Sequence, residues 1–382
     1  MPKKTVQELS LQLHKKLHGK IAIAPKVRLK TLRDLSISYT PGVAAASSYL
    51  ALHKDEVRHY TMKGNAIAVV SDGSAVLGLG NIGPEGALPV MEGKALIFKE
   101  FANIDAFPIV LATQDSDEII AAVRAIAPTF GGINLEDIAA PRCFEIERQL
   151  QESLDIPVVH DDQHGTAVVV LAGLLNALKV VKKKLHTVRI VLSGAGAAGS
   201  AIADILLKKG VGDIVMVDSK GIVSLSRSDL DSHKLELAAR TNVRKLQGGL
   251  AEAFVGADVA IGVSKAGLFT EAHIRSMNAE PIIFAMANPT PEIMPREALR
   301  AGAAIIATGR SDFPNQVNNA LVFPGLFRGA LDHGVRRVTD AMFIRAAEKL
   351  AALVPHPTRE RIVPSIFDTR VVKAVSSAIS LK

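Results

Sequence analysis

The sequence is short of the residues on which several kinds of protein depend. Its 382 residues include no tryptophan, three tyrosines and one cysteine. A lone cysteine, Cys143, excludes an intrachain disulfide and reads as a small core residue, and its isolation agrees with a reducing compartment, the cytoplasm. No repeat or biased tract interrupts the chain. With 48% hydrophobic and 22% charged residues it reads as an ordered protein, and at this length two domains are expected. The N-terminus has no long apolar core and no small-residue cleavage site, so no export signal is expected. The apolar run 167–178 is too short for a membrane span and contains Asn176, so no membrane partner is expected. The net charge is +7, but apart from Lys182-Lys183-Lys184, which reads as a solvated helix end, the basic residues are scattered. That charge suits anionic small molecules, and no nucleic-acid partner is expected.

What the chain does have is alternation. From about residue 66, strand-like runs (66–70, 107–111, 156–159) alternate with helical ones (88–101, 117–126, 141–154), a pattern that predicts a parallel sheet. Residues 166–181 form a helix that is apolar nearly all round, which suits a buried connector. The predicted class is α/β: an N-terminal α/β domain, then a Rossmann-type doubly wound domain, then helices that pack back on the first. The boundaries fall at residues 1–160, 161–335 and 336–382.

The second unit opens with a fingerprint. The run Val188-Arg189-Ile190-Val191-Leu192 leads into Gly194-Ala195-Gly196-Ala197-Ala198-Gly199, then a helix, then a strand ending at Asp218. This is the order of a dinucleotide-binding βαβ unit, with a tight turn, a close approach to the pyrophosphate and a helix N-terminus behind it. Asp218 can accept from a ribose diol and would repel a 2′-phosphate, which favours NAD; Lys220 beside it leaves NADP possible. Later strands end at comparable polar points, among them Asn288, which therefore shares the ligand edge with the glycine turn.

Two acidic strand ends stand out. Val158-Val159-His160 runs into Asp161-Asp162, and Gly132-Ile133-Asn134-Leu135 runs into Glu136-Asp137. A single such pair reads best as a helix cap. Two pairs favour a hard cation, Mg²⁺ or Mn²⁺, on oxygen ligands from Glu136, Asp137 and Asp162. Lys94, on an otherwise apolar helix, is a candidate base if a cation lowers its pKa, and a snorkelling surface lysine if not. Tyr39 sits in a turn, where a tyrosine is more often a packing residue than an acid. His160 and His164 read as structural hydrogen-bonding residues, since no serine-elbow motif accompanies them. Asn318-Asn319 is either a loop turn or a pair of amides for a substrate carboxylate or hydroxyl.

Taken in order, Ser38-Tyr39-Thr40-Pro41-Gly42-Val43, Val76-Leu77-Gly78-Leu79-Gly80-Asn81-Ile82-Gly83, Met91-Glu92-Gly93-Lys94, Asn134-Leu135-Glu136-Asp137, His160-Asp161-Asp162-Gln163-His164-Gly165-Thr166 and Asn318-Asn319-Ala320-Leu321-Val322-Phe323-Pro324-Gly325 resemble the malic enzyme family in its short bacterial form. The resemblance implies NAD(P)-dependent, metal-dependent oxidative decarboxylation of malate to pyruvate. It also implies Glu136, Asp137 and Asp162 as metal ligands, Lys94 as general base, Tyr39 as general acid and Asp161 as the partner of Lys94. Asn288 and Asn319 would be substrate amides, with Asn318 the neighbouring candidate. Larger relatives place an arginine where this chain has Ala75, which leaves the grip on the second carboxylate to other groups, the backbone amides of 78–83 among them. A homodimer or higher homo-oligomer is expected, with Tyr39 reaching into a partner's cleft. The competing readings are a metal-independent dehydrogenase of the amino-acid type and a non-catalytic nucleotide sensor.

Overall fold

The continuous apolar runs become strands buried on both faces, the pattern parallel sheets require. In the computed structural model, which describes residues 4–76 and 78–381, Leu77 of the glycine-rich stretch lies outside the described residues. The first sheet contains Ala66–Ser71 (β1), Asp105–Val110 (β2), Gly132–Leu135 (β3) and Val158–His160 (β4), parallel throughout in the order β2-β1-β3-β4. The two acidic pairs therefore lie side by side, because β3 and β4 are neighbours and Leu135 is in register with His160.

The second sheet contains Arg189–Ser193 (β5), Asp213–Asp218 (β6), Gly221–Ile222 (β7), Val259–Gly262 (β8), Ile282–Ala285 (β9) and Ile305–Thr308 (β10), in the order β10-β9-β8-β5-β6-β7. All pair in parallel except β7, which folds back antiparallel on β6. The strand order reverses between β5 and β8, so the ligand crevice of a doubly wound sheet opens beyond their carboxyl ends.

Between the sheets runs the helix Asp161–Val181, which begins where β4 ends. By length and composition it is enough to cross a membrane, longer than the run 167–178 suggests, but 67% of its most apolar window is buried inside the protein. Its face carries Ala167 to Leu174 into a core shared with Ile67, Met91 and Phe98 of the first unit and Ile190 and Ile202 of the second. Asn176, fully buried there, donates to the carbonyls of Ala351 and Ile362, each at 2.9 Å. The chain returns to the first unit through Phe323–Asp332, where Phe98 meets Phe323 and Phe327 at ring distances of 4.7 and 5.6 Å, and again where Phe367 meets Phe101.

The N-terminal segment differs from the rest. Its helices Val6–Leu17, Leu32–Ser38 and Val43–Leu52 bury no residue. The first two are held by local capping boxes, Thr5 with Glu8 and Thr31 with Asp34.

Candidate active site

The helix Gly83–Ala102 carries Lys94 on its buried face, beside Met91, Ala95 and Phe98. A lysine there is stable only if paired. Its Nζ lies 2.6 Å from Asp161 Oδ2 and 2.8 Å from Glu136 Oε1, and 4.1 Å from the centre of the Phe323 ring. Lys94 is thus no snorkelling surface residue. Asn134, one strand step away, donates to the other oxygen of Glu136 at 2.9 Å.

Asp137 and Asp162 complete the cluster. The backbone N–H of Asp137 donates to Asp162 Oδ2 at 2.8 Å. Asp137 takes a left-handed backbone, φ 54°, an uncommon conformation of the kind that gathers at functional sites. One carboxylate oxygen each from Glu136, Asp137 and Asp162 lies within 4.8 Å of the others. These oxygens, with Asp161, set four carboxylates against the single ammonium of Lys94. Burial pushes the carboxyl of Asp161 up to about 6 and those of Glu136 and Asp162 upward as well. An all-oxygen set with excess negative charge fits Mg²⁺ or Mn²⁺. Burial alone would lower the pKa of Lys94, but Asp161, Glu136 and Asp162 outweigh it and raise it instead. The expected lowering thus depends on positive charge added to the cluster.

Gly165 makes the geometry of Asp161 possible. A Cβ at Gly165 would lie 2.0 Å from Asp161 Oδ1 and 3.1 Å from Asn319 Cβ, so the carboxylate folds back over its own helix in space only glycine leaves. Asn319 accordingly stands beside Asp161. Asn318 instead turns into its own loop and accepts from Ala320 N at 2.8 Å. Asn288 sits where the two units meet, since a Cβ on Gly78 would lie 2.3 Å from the Asn288 carbonyl oxygen.

Behind the cluster lies a group that sequence reasoning missed. Glu147 occupies the inward face of Arg142–Ser153 with Cys143, Ile146 and Leu150. It accepts from His160 N at 2.8 Å, from Gln163 at 3.2 Å and from His164 at 3.1 Å. An acid spaced with three apolar residues was the available signal. The structural role expected of His164 is met by this bond and by stacking on Phe343 at 4.6 Å. His160 takes part through its backbone, and its buried ring nitrogens have no hydrogen-bond partner among the described residues. Burial also pushes the Cys143 thiol up to about 12.

A cleft of about 780 Å³ opens at the β5/β8 edge, lined by Gly194, Ala195, Gly196, Asp218 and Ser264, and from the first unit by Ala140, Pro141 and Phe144. Gly196 faces open space, while a Cβ on Gly199 would lie 1.8 Å from the Gly194 carbonyl oxygen, the separate roles the fingerprint assigns to these glycines. Ala197, Ala198 and Gly199 form the first turn of the helix Ala197–Lys208. The wall segment Ala140-Pro141 follows Glu136-Asp137 after only Ile138 and Ala139, which puts the acidic cluster and the cleft on one stretch of chain.

Residues 18–151 match the family model for the malic enzyme N-terminal domain, and residues 163–382 that for the malic enzyme NAD-binding domain. The chain belongs to the malic enzyme family. It is 52% identical over 379 residues to the bifunctional malic/malolactic enzyme of Bacillus subtilis, covering 98% of this chain and 92% of that protein. It is 53% identical to the NAD-dependent malic enzyme of Geobacillus stearothermophilus, covering 94% of this chain and 76% of that one. The crystal structure of the NAD-dependent malic enzyme of Thermotoga maritima superposes with a TM-score of 0.94 at 50% identity, covering 97% of this chain and 98% of that one.

Two of the residues expected in the malic enzyme site stand in surroundings that the sequence did not show. Tyr39 ends the helix Leu32–Ser38 as a residue 65% exposed, and it forms no side-chain hydrogen bond among the described residues. Asp218 lines the cleft but has no free acceptor: Oδ1 takes Lys220 N and Arg227 Nη1 at 2.9 and 2.8 Å, and Oδ2 takes Arg227 Nη2 and Lys234 Nζ at 3.2 and 2.9 Å. Burial alone would raise its pKa, but these bonds hold it at about 2. The ammonium of Lys220 turns away to Asp229, 2.8 Å distant.

Proposed function

We propose that this chain catalyses the oxidative decarboxylation of malate to pyruvate and CO₂, passing a hydride to NAD(P) with a divalent cation, in the cytoplasm and as a homodimer or higher homo-oligomer. The observation that carries the reading is Lys94, buried between Asp161 and Glu136 in a cluster whose loop runs on into the cofactor cleft.

Glu136, Asp137 and Asp162 would hold the cation. Bound there, it supplies Lewis acidity at the oxygen on C2 of malate, while the nicotinamide supplies the hydride acceptor. With the cation's charge lowering its pKa, Lys94 Nζ would be the group that takes the proton of the C2 hydroxyl. Asp161, 2.6 Å from Nζ, fixes where that proton goes. Asn319, beside Asp161, and Asn288, at the junction of the units, are the amides offered to substrate oxygens. After CO₂ leaves, C3 needs a proton, and the phenol of a partner subunit's tyrosine at the position of Tyr39 would donate it.

The test follows pyruvate and reduced cofactor from malate, with NAD or NADP, with Mn²⁺ and after EDTA and gel filtration. Turnover should require the cation and return with Mn²⁺. Lys94→Ala should lower kcat by about 10²- to 10⁴-fold, the span of general acid–base catalysis, with cofactor binding retained. Turnover that survives chelation would support a metal-independent dehydrogenase instead; cofactor binding without turnover would support a sensor.

A further inference from the structure

Glu292 is a fully buried acid that no cation pairs among the described residues. The ladder between β8 and β9 ends with Met286 N donating to the Gly262 carbonyl at 3.0 Å, and beyond it the Glu292 side chain takes the ladder's place. Its Oε1 accepts from Ser264 N at 2.9 Å and its Oε2 from Ala287 N at 3.0 Å. Each oxygen faces a donor, as suits the ionised form, which only accepts. Gly262 makes the room, since a Cβ there would lie 2.4 Å from Glu292 Cδ. Burial raises the pKa of Glu292, and the backbone donors offset that only in part. Of the cations near it in sequence or along the edge, Lys265 stands exposed on the cleft wall and Arg310 is held by Asp312 and the Pro289 carbonyl at 2.7 and 2.9 Å. A strap between two strand ends needs no charge, and a buried unpaired one is costly.

The two residues that Glu292 holds mark one half of the crevice. Asp218, at the end of β6, marks the adenosine half, and Ser264 lines the cleft on the other side of the glycine turn. Asn288, next to Ala287, stands where the units meet. A cofactor laid from Asp218 across Gly194 and Gly196 therefore brings its nicotinamide to the ends of β8 and β9. We infer that Glu292 is a fixed negative charge behind the nicotinamide site that makes the cleft favour the oxidised cofactor over the reduced one. The oxidised ring is a cation. It becomes neutral once hydride, with its electron pair, has passed from C2 of malate to C4 of the ring and the hydroxyl proton has gone to Lys94. Glu292 thus holds the cofactor that enters the reaction and loosens the one that leaves. It touches only backbone and acts on the ring through its field. The inference rests on the cofactor-cleft reading above but not on malate turnover.

Titration of the full-length protein with the oxidised and reduced forms of NAD or NADP, whichever it binds, and with the matching ADP-ribose tests this without any reaction, in saturating Mn²⁺ and without malate. ADP-ribose lacks the ring and reports any loss common to all three ligands. Glu292→Gln should weaken the oxidised cofactor relative to the reduced one by about tenfold, the scale of a unit charge acting across roughly 10 Å at an effective dielectric near 20. ADP-ribose should bind that variant nearly as it binds the wild type. Glu292→Asp keeps the charge and shortens the strap, so it should retain the wild-type ratio even where all three ligands bind less tightly. If a melting curve shows Glu292→Gln to be unfolded, Glu292→Ala carries the comparison, because water can enter the space and meet the two freed N–H groups. The inference fails if the neutral variant weakens both cofactor forms equally, as a strap alone predicts, or if Glu292→Asp shifts the ratio as far as the neutral variant does. A wild type that binds none of the three ligands would overturn the cofactor-cleft reading itself, an outcome distinct from an unchanged ratio.

Discussion

At the scale of single residues the site depends on a glycine as well as on its charges. Gly165 lies one turn into the connector helix, where alanine would ordinarily favour the helix by about 1 kcal/mol. Here the added methyl would meet Asp161 Oδ1 at 2.0 Å and push it off Lys94. Gly165→Ala should therefore lower kcat by about a hundredfold, the scale of a 1 Å misplacement in an active site, and lower the melting temperature too, because the clash loosens a buried ion pair. Wild-type turnover in that variant would show that Asp161 does not set the position of Lys94. The charged members of the site were legible in the sequence because Lys94, Glu136, Asp137, Asp161 and Asp162 each interrupt or end an apolar run. Glu147, Gly165 and Arg227 were not. Glu147 looks like any helix acid until the buried face is known, Gly165 acts through volume it does not occupy, and Arg227 meets Asp218 only because β7 folds the chain back between them.

At the scale of elements, the strands were readable because parallel strands covered on both faces are uninterrupted apolar runs. The two-residue β7 and the helix Ser232–Arg240 carry no such run, and it is there that the sequence reading of Asp218 fell short. The connector helix shows the opposite case, in which a visible irregularity had a structural cause. Asn176, conspicuous as a polar break in an apolar helix, ties it to the carbonyls of Ala351 and Ile362 and so fastens the C-terminal segment to the centre of the protein. Asn176→Ala strands the buried carbonyl of Ile362, since that of Ala351 keeps the N–H of Val354 at 3.1 Å, and an unpaired buried acceptor costs about 1–3 kcal/mol. Urea denaturation should show a loss of about 1–3 kcal/mol. A loss below about 0.5 kcal/mol, as at an ordinary surface site, would mean that the Ile362 carbonyl finds another partner and that the helix is held by packing alone.

At the scale of the whole molecule the N-terminal segment is the part that one chain does not explain. Its three helices bury nothing, and Val6, Ile23, Leu32 and Leu52 are each at least 79% exposed. A run of apolar side chains this long in solvent marks an interaction surface, and for a homo-oligomer the commonest solution is a twofold contact with a second copy. Tyr39 lies within this segment, which gives its exposure a purpose: the phenol would serve the partner's Lys94 cluster. Light scattering should then return a mass at least twice the 40.5 kDa of the chain. Refolding an equal mixture of Tyr39→Ala and Lys94→Ala chains tests the sharing itself. Each mixed dimer would hold one site with both residues intact, so two nearly inactive proteins should recover about a quarter of wild-type activity if chains pair at random in a twofold dimer. If Tyr39 served its own chain, every site in the mixture would lack one residue or the other, and no activity would return at any ratio of the two.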